Sequence, residues 1–164
     1  MQILSHRGYW KTPAEKNAPA AFERSFAMGF GTETDLRDLA GRLVISHDPP
    51  GADALGAGEM LAIHARHDPA LPLALNVKAD GLQDMLAAAL GASPASDAFV
   101  FDMAVPDAVQ WLRRTGIAVF TRHSDVETAP ALYDEAAGVW LDAFGGDWWD
   151  AATVARHREA GKRV

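Results

Sequence analysis

The segment PLALNVK (72–78) is a short apolar run closed by a lysine, and its reading decides the fold. A strand wetted on one face alternates apolar and polar residues. A strand covered on both faces reads as a nearly unbroken apolar run, the pattern of parallel sheets flanked by helices. The sequence on either side agrees. DGLQDMLAAALG (80–91) has helical spacing, with Asp80 as its expected N-cap and Gly91 as its stop. AFVFDM (98–103), IAVFTR (117–122) and GVWLDAF (138–144) repeat the strand pattern. VPDAVQWLRRTG (105–116), SDVETAPALYDEAA (124–137) and WDAATVARHREAG (149–161) read as helices, the second broken or kinked at Pro130. Upstream come the strand QILSH (2–6) and the helix APAAFERSFAMG (18–29), with Asn17 as its N-cap and Gly29 as its stop. The strand TETDL (32–36), its hairpin partner RLVISHD (42–48) and the helix AGEMLAIHARH (57–67) follow. This β–α alternation defines an α/β class.

Composition narrows the function. The 164 residues suit one domain with a substantial core. The formal net charge of −7 argues against a nucleic-acid-binding surface. Cysteine is absent, which removes disulfides, thiolate nucleophiles and Cys-ligated zinc together. MQILSHRG enters an apolar strand without the basic and apolar regions of a signal peptide, and no apolar run reaches the ~18 residues of a membrane span. The expectation is a cytoplasmic protein with no integral membrane segment.

Polar residues collect where the strands end: His6 and Arg7, Asp35 and Arg37, Lys78, Asp102, Arg122, Asp142. In parallel α/β folds ligands bind at that end of the sheet. Glu33 and Asp35 lie two apart on one strand, so both carboxylates point to one face. Their mutual repulsion asks for a cation. His6 and His47 titrate near neutrality and supply acid–base groups, while Arg7 and Lys78 add fixed positive charge. Together these are the parts that phosphodiester cleavage uses. One histidine takes a proton from the nucleophile and the other protonates the leaving alkoxide.

The same residues resemble the glycerophosphodiester phosphodiesterase family, which includes the sphingomyelinase D-type enzymes. The resemblance runs through SHRG (5–8), KNAPAAFERSFAMG (16–29), the E-x-D of Glu33 and Asp35, ISHD (45–48) and LALNVK (73–78). It implies a TIM (β/α)8-type barrel, catalytic His6 and His47, Mg²⁺ or Ca²⁺ on Glu33 and Asp35, and phosphate held by Arg7 and Lys78. Two positions depart from the family pattern: Lys16 replaces a glutamate, and Asn76 replaces an acidic third metal ligand. An amide oxygen can coordinate either metal but brings no charge, so Asn76 is a weaker ligand. Eight β–α units need upwards of about 200 residues, so the expected barrel domain over 1–164 has about six and lacks its last one to two. AGKRV at the end reads as a helix terminus entering another strand.

The function these residues imply is metal-assisted hydrolysis of a glycerophosphodiester or related alkyl phosphodiester, a small-molecule substrate. The alternative is a non-catalytic phosphate-ester-binding protein on the same barrel. An amidohydrolase-type enzyme ranks last, because SHRG lacks the second histidine of that class's H-x-H. His64 and His67, three apart on a helix, read as a solvated face, and Trp148 and Trp149 as an apolar plug at a helix start.

Overall fold

The computed structural model describes residues 2–164. Its strands are β1 (Leu4–His6), β2 (Gly31–Leu39), β3 (Arg42–Ile45), β4 (Leu73–Val77), β5 (Ala98–Phe101), β6 (Ala118–His123) and β7 (Gly138–Leu141). Its helices are α1 (Pro19–Ala27), α2 (Ala57–Ala65), α3 (Gln83–Gly91), α4 (Val105–Arg114) and α5 (Ala151–Glu159), with a 3₁₀ turn at Pro13–Glu15. The sheet order is β1-β2-β4-β5-β6-β7, all neighbours parallel, while β3 folds back antiparallel on β2. Beyond α5, Arg163 bridges in parallel to Gly138, so the chain is already aligned beside β7.

Two apolar layers follow from strand alternation. Leu73, Leu75, Val77, Val100 and Val119 pack outward against Phe22, Phe26, Leu82, Leu86 and Trp111 of the helical layer. All five residues of β4 are buried, which is why PLALNVK lacks polar alternation. The opposite face carries a second cluster, Ala74, Phe99, Phe101 and Phe120, joined by Leu4 and Trp140. Leu4 belongs to one edge strand and Trp140 to the other, so the sheet curls on itself as a partial TIM barrel.

Local chemistry sets the boundaries and changes four expectations. Residues 124–137 form turns and no α-helix. Pro130 lacks an N–H and disfavours helical geometry at Ala129, Leu132 sits at φ 54°, and Ser124 Oγ accepts from the backbone of Val126 and Glu127. Asp80 does not cap α3, whose N-cap is Leu82. The buried Asp107 instead accepts from Gly81 N, Gln83 Nε2 and Trp111 Nε1 at 3.1, 2.8 and 2.8 Å, tying α3 to α4. Ala18, not Asn17, is the N-cap of α1. His64 is fully buried, its Nε2 2.9 Å from Leu71 O and its ring edge-on to Phe26, whereas His67 pairs with Glu23. The helix has turned His64 inward, so the two histidines share no solvated face. Of the two tryptophans expected to form a plug, Trp148 is half-buried, with its Nε1 donating to Asp142 O and its ring against His123, whereas Trp149 is exposed.

Candidate active site

Strand register assembles the site. His6 lies opposite Glu33, Glu33 opposite Ala74, and Asp35 opposite Asn76. Alternation therefore directs Glu33, Asp35 and Asn76 to the same inner face as Phe99, Phe101, Phe120 and Trp140. On this face the polar side chains of β2 and β4 lie at the same register as the aromatic ones of β5: Glu33 with Ala74 and Phe99, Asp35 with Asn76 and Phe101.

The turn after β1 needs its glycine. Arg7 and Gly8 both have positive φ, 58° and 79°, and a Cβ on Gly8 would stand 2.7 Å from Ala21 Cβ. Arg7 N donates to Glu33 O at 2.8 Å and Gly8 N to Thr32 Oγ1 at 3.0 Å, which fixes the turn over β2. Arg7 Nε thereby comes to 3.0 Å from Asp35 Oδ2. Asn17, also left-handed at φ 59°, gives its Nδ2–H to Asp35 Oδ2 at 3.0 Å and takes the Thr34 hydroxyl on Oδ1 at 2.8 Å. The residue expected to cap a helix instead holds a site carboxylate.

A chain of alternating charge crosses the mouth. Lys78 Nζ is 3.8 Å from Asp35 Oδ1 and 3.3 Å from Asp102 Oδ2. Arg122 Nη1 pairs with the other Asp102 oxygen, and its Nε with Glu127 Oε2 at 2.8 Å. Asp102 itself sits at φ 67°, a strained conformation for a non-glycine residue. Its place at a strand end was visible in the sequence; its bridging of two cations was not, because Arg122 is twenty residues away.

The two carboxylates differ. Asp35 is completely buried yet compensated by Arg7, Lys78 and Asn17. Glu33, 5% exposed, receives only a 3.3 Å hydrogen bond from Asn76 Nδ2 on Oε1, with His6 Nε2 3.8 Å from Oε2. Burial, then the neighbouring Asp35 charge, push its carboxyl up to about 7. Burial and the positive Arg7 lower the pKa of His6.

His6, Glu33 and Asn76 line one cavity of about 400 Å³ with Asp102 and Asp142. Arg7 and His47 line an adjoining one of about 490 Å³ with Lys16 and Asn17. Lys16 caps the ring of Trp10 at 4.7 Å. His47 Nδ1 is 3.0 Å from Asp48 Oδ1. The two histidines thus line separate hollows. Arg37, also near that end of β2, donates its Nε–H to His47 O at 3.0 Å.

Among the described residues no three histidine or acidic side chains form a ready metal cage. The buried oxygens without a hydrogen-bond donor are nevertheless Glu33 Oε2, Asp35 Oδ1 and Asn76 Oδ1, all on the inner face of the neighbouring strands β2 and β4. An uncompensated carboxylate beside a free amide oxygen fits an oxygen-preferring divalent cation that takes few protein ligands and completes its shell with water or substrate.

No family model matches the sequence, and no curated protein matches it. Solved structures do. The chain is similar to a proposed glycerophosphoryl diester phosphodiesterase from Agrobacterium tumefaciens, with 16% identity, a TM-score of 0.75, and coverage of 99% of this chain and 82% of that one. It is similar also to a proposed glycerophosphodiester phosphodiesterase from Galdieria sulphuraria, with 16% identity, a TM-score of 0.76, and coverage of 98% and 81%. In fold, the chain shares the architecture of these phosphodiesterases, the one its SHRG and E-x-D segments resemble.

Proposed function

We propose that this chain is a divergent member of the glycerophosphodiester phosphodiesterase family. It hydrolyses a glycerophosphodiester or related alkyl phosphodiester. The observation that carries this reading is the grouping of Arg7 and Lys78 on Asp35, beside a Glu33 whose charge lacks a partner and within 3.8 Å of His6. Glu33, Asp35 and Asn76 would hold Mg²⁺ or Ca²⁺, which supplies electrostatic stabilisation of charge on the phosphoryl oxygens.

Arg7 and Lys78 bind the non-bridging oxygens of the phosphate, their own carboxylate partners fixing both cations in place. His6, its pKa lowered by burial and by Arg7, suits the general base that takes the nucleophile's proton. The nucleophile's oxygen bonds to phosphorus as the bond to the departing alcohol breaks, and His47 gives that alkoxide a proton. Asp48 Oδ1, 3.0 Å from Nδ1, orients the ring.

A phosphate-ester-binding protein without turnover is the second reading, favoured by Asn76 and by the three groups already on Asp35. Product release from glycerophosphocholine, with and without Mg²⁺ or Ca²⁺, separates the two. Cation-dependent turnover lost in His6→Ala supports the enzyme. A folded chain that binds glycerol 3-phosphate and turns over no phosphodiester supports the binder.

A further inference from the structure

Helix α5 fully buries only Thr153 and His157, neither of them aliphatic, so hydrocarbon burial holds it weakly. Its attachment runs through a line of polar contacts that includes none of the residues of the candidate active site. His157 Nε2 is 3.0 Å from Nδ1 of His123, the last residue of β6, and His157 Nδ1 is 2.9 Å from the Tyr133 hydroxyl. The two imidazoles stand perpendicular, with centroids 5.2 Å apart. Tyr133 belongs to the turn segment 124–137, which also carries Glu127, the partner of Arg122 at the mouth of the site. Trp148 packs edge-on against His123 with ring centroids 4.5 Å apart. One line of side chains thus joins β6, the turn segment and α5.

That line has room for few protons. Between His123 Nδ1 and His157 Nε2 one nitrogen donates and the other accepts, so a single hydrogen fits in the 3.0 Å gap. The phenol can give or take the hydrogen at the outer end. The closed pair can therefore hold one added proton, and not two. Neighbouring charge opposes even the first. Arg156 of α5 disfavours charge on both rings, and Lys162 stands over the Tyr133 ring at 5.0 Å. His6, His47 and His67 each have a carboxylate within 4 Å, whereas among the described residues His123 and His157 have none. The acids nearest in sequence are taken up elsewhere: Asp125 by the backbone of Phe144 and Gly145, Glu127 by Arg122, Asp150 by Thr153. Arg122, next to His123 on β6, is turned to Asp102, and Asp142 accepts from Ala143 N. Burial, then Arg156, lowers the pKa of His123, against a hydrogen bond with the Thr128 backbone that raises it. Burial, then His123 and Arg156, lowers that of His157.

We propose that Tyr133, His157 and His123 form a pH-operated latch, which ties α5 and the turn segment to β6 near neutrality and lets go in acid. Once open, each ring takes a proton freely from water; closed, the pair stops short of two. Below the ordinary histidine value of 6.5 the open form binds more protons than the closed one, so stability of the closed form falls as pH falls. A histidine protonated only when open shifts the balance about tenfold between pH 7.5 and 5.5, and two such rings about a hundredfold.

Hydrogen exchange read by mass spectrometry, corrected for the intrinsic effect of pH on exchange, tests the latch on the full chain, with β4 as the internal reference. From pH 7.5 to 5.5, protection of α5 and of residues 124–137 is expected to fall about tenfold to a hundredfold in the wild type, while β4 holds. His157→Gln has an amide that can donate to one neighbour and accept from the other but does not titrate, so most of that loss should disappear in it. Imidazole ¹⁵N shifts of the wild-type protein need no variant, and they are expected to show His123 and His157 titrating as a coupled pair below 6.5. Protection of α5 that is equal at the two pH values overturns the latch. So does an acid-induced loss that a folded His157→Gln leaves undiminished, or two rings that titrate independently at or above 6.5.

Discussion

The substitution Glu33→Gln in chelator-treated protein tests the electrostatics on which the site reading rests. Glu33 has a folded-state pKa raised from 4.5 to about 7 by burial and by Asp35. Below the unfolded value both states carry the proton, and the group contributes nothing to pH dependence. Between 4.5 and about 7 the unfolded chain ionises while the folded one stays protonated, so stability falls as pH rises. Above about 7 both are ionised and the full penalty persists, roughly 3 kcal/mol. The glutamine side chain does not ionise and can keep the contact with Asn76. Urea unfolding at pH 5 should therefore show the variant and wild type within about 1 kcal/mol of each other. At pH 8 the variant should be more stable by roughly 3 kcal/mol. Saturating Mg²⁺ should stabilise wild type at pH 8 and have little effect on the variant, because the ion replaces the missing counter-charge. A stability difference that does not change between pH 5 and pH 8 would refute the reasoning, since it would mean that Glu33 ionises as freely in the fold as out of it.

Other substitutions probe the supports. Asn17→Gly keeps the left-handed backbone but removes the Asp35 and Thr34 contacts, so it should lose roughly 1–2 kcal/mol in thermal or urea unfolding. Asn17→Ala should lose about 1 kcal/mol more by the same assay, because a Cβ disfavours positive φ. Asp107→Ala leaves the donors of Gly81, Gln83 and Trp111 unpaired and should cost roughly 3–5 kcal/mol, read by urea unfolding followed through tryptophan emission. His47→Ala should reduce kcat about 10²–10⁴-fold while the unfolding midpoint holds, since its pair with Asp48 is solvent-exposed.

The parallel sheet was legible because burial on both faces leaves a direct trace in PLALNVK, AFVFDM and IAVFTR. Strand-end polarity likewise marked the side of the sheet on which His6, Asp35, Lys78, Asp102, Arg122 and Asp142 gather. The pairing of those groups was less accessible. Register, which sets Asp35 against Asn76 and His6 against Glu33, depends on how the strands slide past one another and is invisible in local pattern. Asn17 carried a true signal, its preference for left-handed backbone and side-chain hydrogen bonding, but that signal is shared by caps and by site-holding residues. Residues 124–137 show the reverse failure. Their helix-forming alanines, glutamates and leucine lost to Pro130 and to the Ser124 turn, and Thr121 Oγ1 instead donates to Ala131 O at 2.6 Å. His64 escaped because helical spacing places it three residues from an exposed neighbour without showing which face meets α1.

The most direct measurement is a ³¹P NMR time course on a panel of glycerophosphodiesters, run on wild-type protein with Mg²⁺, with Ca²⁺ and with chelator, beside His6→Ala. The diester resonance should be replaced by a phosphomonoester or cyclic phosphate only when a cation is present, and His6→Ala should leave the diester intact. Persistence of every diester with wild-type protein that is demonstrably folded and cation-loaded would contradict the hydrolase reading.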